Sequence, residues 1–175
     1  MKISYLENYD SLSQYAAKLV MDEVQLKRDL LFCAATGNSP TGMYAQMAKN
    51  KSLFDRMRVV KMDEWGIIPL SHPDSCESYI KKHVLEPLEI PAERYVGFDT
   101  APESVVAECT RMQNFISDQG PFDICILGLG KNAHIAFNEP ADFLQADFHK
   151  AVLAPSTIQH DPALSQGPEP AYGLC

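Results

Sequence analysis

The stretch His134-Ile-Ala-Phe-Asn-Glu139-Pro140 sets an imidazole and a carboxylate five positions apart, just after an apolar run. Such a pair can transfer protons, with the carboxylate holding the imidazole in one tautomer; a histidine with a purely structural role is the alternative. Directly before it, Gly128-Leu-Gly130-Lys131-Asn132-Ala133 superficially matches a dinucleotide fingerprint. That fingerprint opens a long helix on the first strand of its unit. Pro140 limits the helix here and the segment follows a late strand, so Gly128 and Gly130 are read as a tight turn or a close approach to ligand. Asp63-Glu64 closes another apolar run. Neighbouring side chains diverge at a strand end, so one carboxylate can face a crevice as a tuned general base while the other is structural; a solvated acidic turn is the alternative. Thr36-Gly37-Asn38-Ser39-Pro40-Thr41 separates a strand-like run from a helical one. Backbone N–H groups at a helix start, with hydroxyls around them, suit a phosphate; an ordinary turn capped by Ser39 or Thr41 would read the same way.

These segments need elements to hold them. Leu12, Tyr15, Ala16, Leu19 and Val20 form one apolar stripe, which predicts a helix from about Asp10 to Lys27 capped by Asp10 or Ser11. Leu30–Ala35 is continuously apolar, as a strand covered on both faces would be. A helix over Thr41–Ala48, a strand over Met57–Met62 and a helix from about Ser75 to Leu85 follow. Thr100-Ala-Pro-Glu103 fits a capping box, with helical spacing at Val105, Cys109, Met112 and Ile116 and Gly120 as the C-cap. Phe122–Leu127 reads as a third buried strand. Strands alternating with helices predict an α/β fold: an open, mostly parallel, Rossmann-like sheet with helices on both faces. Ligands then bind beyond the carboxyl ends of the strands, where Thr36–Pro40, Asp63–Trp65 and Gly128–Pro140 all fall.

The chain has 175 residues, 46% of them hydrophobic and 22% charged, with a net charge of −8. That size suits one domain with a substantial core. The acidic balance argues against a nucleic-acid partner, but a small phosphorylated ligand needs only a local nest of donors. No apolar stretch is long enough to span a bilayer, and the N-terminus turns polar too early for a signal peptide, so no membrane partner and a cytoplasmic location are expected. The five cysteines, Cys33, Cys76, Cys109, Cys125 and Cys175, have no Cys-x-x-Cys spacing. They are read as reduced thiols, Cys33 and Cys125 as buried small hydrophobes. No ligand spacing among the histidines points to a metal. Residues 1–150 read as one α/β domain. Residues 151–175 hold Pro155, Pro162, Pro168 and Pro170 with no clean period, and are expected to be an irregular, truncated or disordered segment.

Taken together, Ala35-Thr-Gly-Asn-Ser-Pro40, Val60-Lys-Met-Asp-Glu-Trp65 and Gly128-x-Gly-x-x-x-His-Ile-Ala-Phe-Asn-Glu-Pro140, with Cys76-Glu-Ser-Tyr79 between, resemble the glucosamine/galactosamine-6-phosphate isomerase (deaminase) family. The resemblance runs from near the N-terminus to about Pro140. It implies conversion of an amino-aldose 6-phosphate to a ketose 6-phosphate with loss of ammonia and no cofactor. It further implies Thr36, Gly37, Asn38 and Ser39 at the phosphate, Asp63 as the base between C1 and C2, His134 as the ring-opening acid/base and Glu139 supporting it. Glu64, Gly128, Gly130 and Asn132 would lie near the substrate. Related 6-phosphogluconolactonases, which need no C2 base, are the nearest alternative, and a catalytically impaired sugar-phosphate binder is another. Three features depart from the glucosamine branch. Asn132-Ala133 replaces Asp-Gly, leaving the support of the histidine to Glu139, and Ala133 is strained if that position has φ > 0. Lys131-Asn132 and Asp63-Glu64-Trp65 look closer to galactosamine-6-phosphate isomerase-like members. The family's C-terminal elements, with their basic phosphate-binding segment, have no match in Ala151–Cys175. An open sheet edge would then invite a homo-oligomer.

Overall fold

The computed structural model describes residues 2–160 and 172–175. Helix α1 (Tyr9–Leu26) starts one residue before the expected Asp10 and is capped by Asn8 rather than by Asp10 or Ser11, because the Asn8 side chain accepts the Ser11 N–H. It buries Ala17, Val20 and Val24. Strand β1 (Leu31–Ala34) is buried along its whole length. Helix α2 (Asn38–Ala48) begins at Asn38 rather than Thr41, with Gly37 as its N-cap at φ 98. A 3₁₀ turn (Lys51–Phe54) leads to β2 (Arg58–Lys61) and the short β3 (Glu64–Trp65). Helix α3 (Cys76–Ile80), capped by the Ser75 hydroxyl, runs through a π turn (Lys81–Leu85) into α4 (Glu86–Leu88). Strand β4 (Tyr95–Val96) follows, a strand the hydropathy pattern does not reveal.

Helix α5 (Val105–Gln119) is capped by Ser104 rather than by a box at Thr100, and ends at Gly120 as expected. Strand β5 (Ile124–Cys125) completes a four-stranded sheet in the order β4-β2-β1-β5, with every pairing parallel. Phe32, Ala34 and Val59 pack against α1, α2 and the α3–α4 segment, while Leu31 and Val60 pack against Cys109 and Met112 of α5. Both faces of this open sheet are therefore covered, as the continuous apolar runs require. Each large side chain sealed in these layers contributes about 1.5–3 kcal/mol.

Three expectations change. Residues 122–127 are not a third buried strand: β5 pairs on one side only, Cys125 is exposed and Leu127 is 57% exposed. Cys33 is buried beside Cys125, so only one of the two is the small hydrophobe expected. Nor is the C-terminal stretch irregular where it is described. Strands β6 (Lys150–Ala151) and β7 (Gly173–Leu174) join β3 in an antiparallel sheet ordered β3-β7-β6, and α6 spans Pro155–His160. Pro162, Pro168 and Pro170, on which the irregular reading leaned, lie outside the described residues. The small sheet packs Trp65 on Phe137, ring centroids 4.3 Å apart, and so ties the Asp63 segment to the His134 segment.

Candidate active site

The carboxyl ends of β1, β2 and β5 open into a cavity of about 510 Å³, a volume ordinary for a small-molecule site. Thr36, Gly37 and Asn38 form one wall, Asp63 the floor, and Gly128, Gly130 and His134 the opposite wall. Three segments far apart in sequence thus meet at one site, as parallel-sheet topology dictates.

The first of these walls is the N-terminus of α2. Gly37 has no side-chain cap bond to compete for the first helical N–H groups, and its φ of 98 with ψ of 176 is a conformation open to glycine alone. Its carbonyl is used instead: it accepts from Tyr79 Oη at 2.6 Å and from Thr41 Oγ1 at 2.9 Å. Tyr9 Oη braces the same turn, donating to the Asn38 carbonyl and accepting from Gly42 N–H. Exposed, anchored N–H groups at a helix start attract an anion. Ser39 is exposed on α2 and is not among the cavity-lining residues.

Asp63 and Glu64 diverge as two side chains at a strand end should. Asp63 lines the cavity and is only 7% exposed, and its Oδ1 has no hydrogen-bond partner among the described residues. Burial, then the neighbouring Glu64 charge, push its pKa up to about 7, against the pull of Lys61 and the Cys76 thiol. Glu64, expected near the substrate, is instead fully buried behind the cavity floor. Its Oε1 accepts from Trp65 and Cys76 N–H at 2.8 and 2.9 Å, and its Oε2 from Glu77 N–H and Lys61 Nζ at 2.8 and 2.7 Å. All its acceptor capacity is taken by protein donors.

His134 and Glu139 are close, but not directly bonded: Nδ1 and Oε2 are 3.9 Å apart, too far for a hydrogen bond. Thr157 of α6 stands between, donating to Glu139 Oε1 at 2.5 Å with its oxygen 3.4 Å from His134 Nδ1. A hydroxyl has one proton. With that proton on Glu139, the Thr157 oxygen can only accept from His134, which leaves Nδ1 as donor and Nε2 as the free base. Glu139 also accepts from Asn132 Nδ2 at 2.7 Å and Ala154 N–H at 3.0 Å. Burial works against its charge, but the bonds from Thr157, Ala154 and Asn132 outweigh it and hold Glu139 below the usual carboxylate range. Asn132 therefore does not line the cavity; it joins the histidine turn to the carboxylate, its Oδ1 accepting the His134 N–H at 3.2 Å. Ala133 has φ 70 and Ala136 φ 51, so the turn is held in the left-handed region without glycine.

Thr157 is the site residue that sequence reading missed. It lies in the stretch read as irregular, and its only signal was a hydroxyl pair, Ser156-Thr157, after a proline. Among the described residues, no group of three or more His, Cys, Asp or Glu could hold a metal ion, and no helix is long and apolar enough to cross a membrane.

A parallel α/β sheet with a helix start, a buried near-neutral carboxylate and a backed histidine gathered at its strand ends defines an α/β protein with a small-molecule site equipped with acid–base groups. Residues 7–162 match the family described as glucosamine-6-phosphate isomerases/6-phosphogluconolactonase, and the chain belongs to that family. It is 32% identical over 176 residues to the putative deaminase AgaI of Escherichia coli (strain K12), covering 98% of this chain and 70% of that protein. It is 34% identical over 163 residues to glucosamine-6-phosphate deaminase of Geobacillus sp. (strain WCH70), covering 91% of this chain and 65% of that one. A solved structure of a monomeric glucosamine-6-phosphate deaminase superposes with a TM-score of 0.91 at 28% identity, over 99% of this chain and 75% of that chain. 6-Phosphogluconolactonase from Trypanosoma cruzi, at 17% identity and a TM-score of 0.75 over 99% of this chain and 73% of that chain, shares the fold. The chain thus spans about two thirds to three quarters of the length of these relatives.

Proposed function

We propose that this chain converts an amino-sugar 6-phosphate, with glucosamine or galactosamine as the sugar, to the ketose 6-phosphate and ammonia. The observation that carries this reading is Asp63: a buried carboxylate with a free oxygen, poised near neutrality on the floor of a cavity between a phosphate-type helix start and a backed histidine. The phosphate seats at Thr36, Gly37 and Asn38. His134 Nε2 takes the proton of the ring hydroxyl and returns it to the ring oxygen, opening the sugar. Asp63 removes the proton from C2 and delivers it to C1 while a proton of the 2-ammonium passes to O1, leaving a protonated imine at C2. Water adds to that imine and ammonia departs, so amino-aldose phosphate plus water gives ketose phosphate plus ammonia. A proton next to a carbonyl needs only a placed base and polarising donors, so no cofactor enters. The partner is a small sugar phosphate, with no nucleic acid or membrane and a cytoplasmic setting; self-association through the open β5 edge belongs to the same reading.

The test is ammonia and ketose-phosphate release from glucosamine 6-phosphate and galactosamine 6-phosphate in deuterated water, with 6-phosphogluconolactone hydrolysis beside them. Release of ammonia and ketose phosphate is the expected outcome, with deuterium entering C1 to the extent that the Asp63 carboxyl exchanges its proton with solvent between the two transfers. Lactone hydrolysis without amino-sugar turnover would replace this reading with the hydrolase one, and binding without any turnover would leave a sugar-phosphate binder.

A further inference from the structure

Glu64 has no access to the cavity, yet its contacts converge on Asp63. Its carboxylate gathers the N–H groups of Cys76 and Glu77 at the start of α3, the N–H of Trp65, and the ammonium of Lys61. Lys61 is itself fully buried and donates a second bond, 2.9 Å long, to Glu77 Oε2. Tyr95 Oη is a second donor to that oxygen, at 2.6 Å. This clamp fixes α3 against the end of β2. It thereby sets the Cys76 thiol against Asp63, where Thr36 Oγ1 also reaches that sulfur at 3.9 Å.

We propose that Glu64 is the positioning residue of Asp63: it locks the start of α3 beneath that carboxylate and supplies a fixed negative charge at its side. The inference rests on reading Asp63 as the proton-transferring base. The groups that face Asp63 are Lys61 from β2, Glu64 from β3, Cys76 from α3, Cys33 from β1, Cys125 from β5 and Cys175 after β7. Cys76 and Cys175 are pushed up by burial, and Cys33 by its hydrogen bond with Cys125 as well as burial, so these three are neutral thiols. The full charges beside Asp63 are those of Glu64, which raises its pKa, and Lys61, which lowers it less. A buried acid beside a fixed anion loses its proton at higher pH than it would alone.

The experiment pairs Glu64→Gln with the double variant Lys61→Met/Glu64→Gln. The Asp63 carboxyl is titrated by carbon-13 NMR, and the pH profile of kcat/KM is recorded alongside. In Glu64→Gln the titration and the acid limb are expected to move down by about one pH unit. The double variant, with both charges gone, should recover part of that shift and remain below the parent. A purely structural role predicts a lower melting temperature with an unmoved titration, and that result overturns the proposal. Should the single variant not fold, the double variant decides by itself: a titration at the parent position is the overturning result. Asp63→Asn separates the two readings. If it still turns over substrate, the assignment of the base fails; if it is inactive while Glu64→Gln leaves the titration unmoved, only the present inference fails.

Discussion

The His134 ring rests on Gly130 so closely that a β-carbon built on Gly130 would lie 2.3 Å from Nε2 and 2.4 Å from both ring carbons beside it. Gly128, two residues earlier, has nothing within 4 Å of the same position. The two glycines of this turn therefore do different work: Gly130 makes room for the imidazole, and Gly128 leaves open space on the cavity wall. Gly130→Ala should force the ring off its seat and separate it from Thr157. Because a placed general acid/base contributes roughly 100-fold or more, kcat should fall by about that factor in Gly130→Ala, with KM little changed. Gly128→Ala should fall far less. Steady-state kinetics on the two variants side by side check this, and equal losses would show that the ring contact is not what Gly130 provides.

Thr157 links His134 to Glu139 through one hydroxyl. Thr157→Val keeps the shape and removes that hydroxyl, leaving Glu139 with Asn132 and Ala154 as donors. An under-satisfied, largely buried carboxylate costs about 1–3 kcal/mol, so thermal unfolding should move down accordingly. The tautomer of His134 is also released, and kcat should drop by about tenfold or more. Thr157→Ser restores the hydroxyl and should restore both. Loss of stability without loss of kcat would make Thr157 a fold residue alone.

The sheet and most of its helices were legible in the sequence because buried parallel strands and amphipathic helices leave strong periods, as Leu30–Ala35 and the α1 stripe show. The meeting of Thr36, Asp63 and His134 at one cavity followed from topology once those strands were placed. What was not legible depends on contacts that leave no local pattern. The strands β3, β4, β6 and β7 are two residues each, shorter than any readable alternation. That Asp63 and Glu64 diverge was legible from their place at a strand end; the donors that hold Glu64 come from α3 and β2, distant in the chain from one another, and left no local pattern. The Asn132 substitution looked like a loss of support for His134. In space its amide is used at both ends, one to Glu139 and one to the His134 N–H.

Ala133 holds φ 70 in the turn before His134, the strained geometry its sequence position raised as a condition. An L-residue in the left-handed region costs about 1–2 kcal/mol, part of which glycine returns through its freer unfolded chain. Ala133→Gly should therefore stabilise the protein by about 0.5–1 kcal/mol in denaturant unfolding. With His134 seated by Gly130 and Thr157, kcat should change little. A destabilised Ala133→Gly would mean that the β-carbon makes contacts worth more than the strain.

Asp63 ties activity and stability to pH in opposite directions. Its pKa is about 7 in the folded chain, against an ordinary value of 3.8. Between those values the folded state binds the proton and the unfolded state does not, so stability is greatest at the acid end of the window and falls as pH rises from about 4 through 7. The full penalty at pH 8 is on the order of 4 kcal/mol. A base must be ionised, so kcat/KM should climb with pH over the same range and level off above about 7. Asp63→Asn removes the titration: its stability should lose that slope and exceed the parent's at pH 8, while turnover disappears. Unfolding curves at pH 5 and pH 8 for both proteins decide the matter. Parallel pH dependence in parent and Asp63→Asn would mean that another group carries the slope and that Asp63 is ionised throughout.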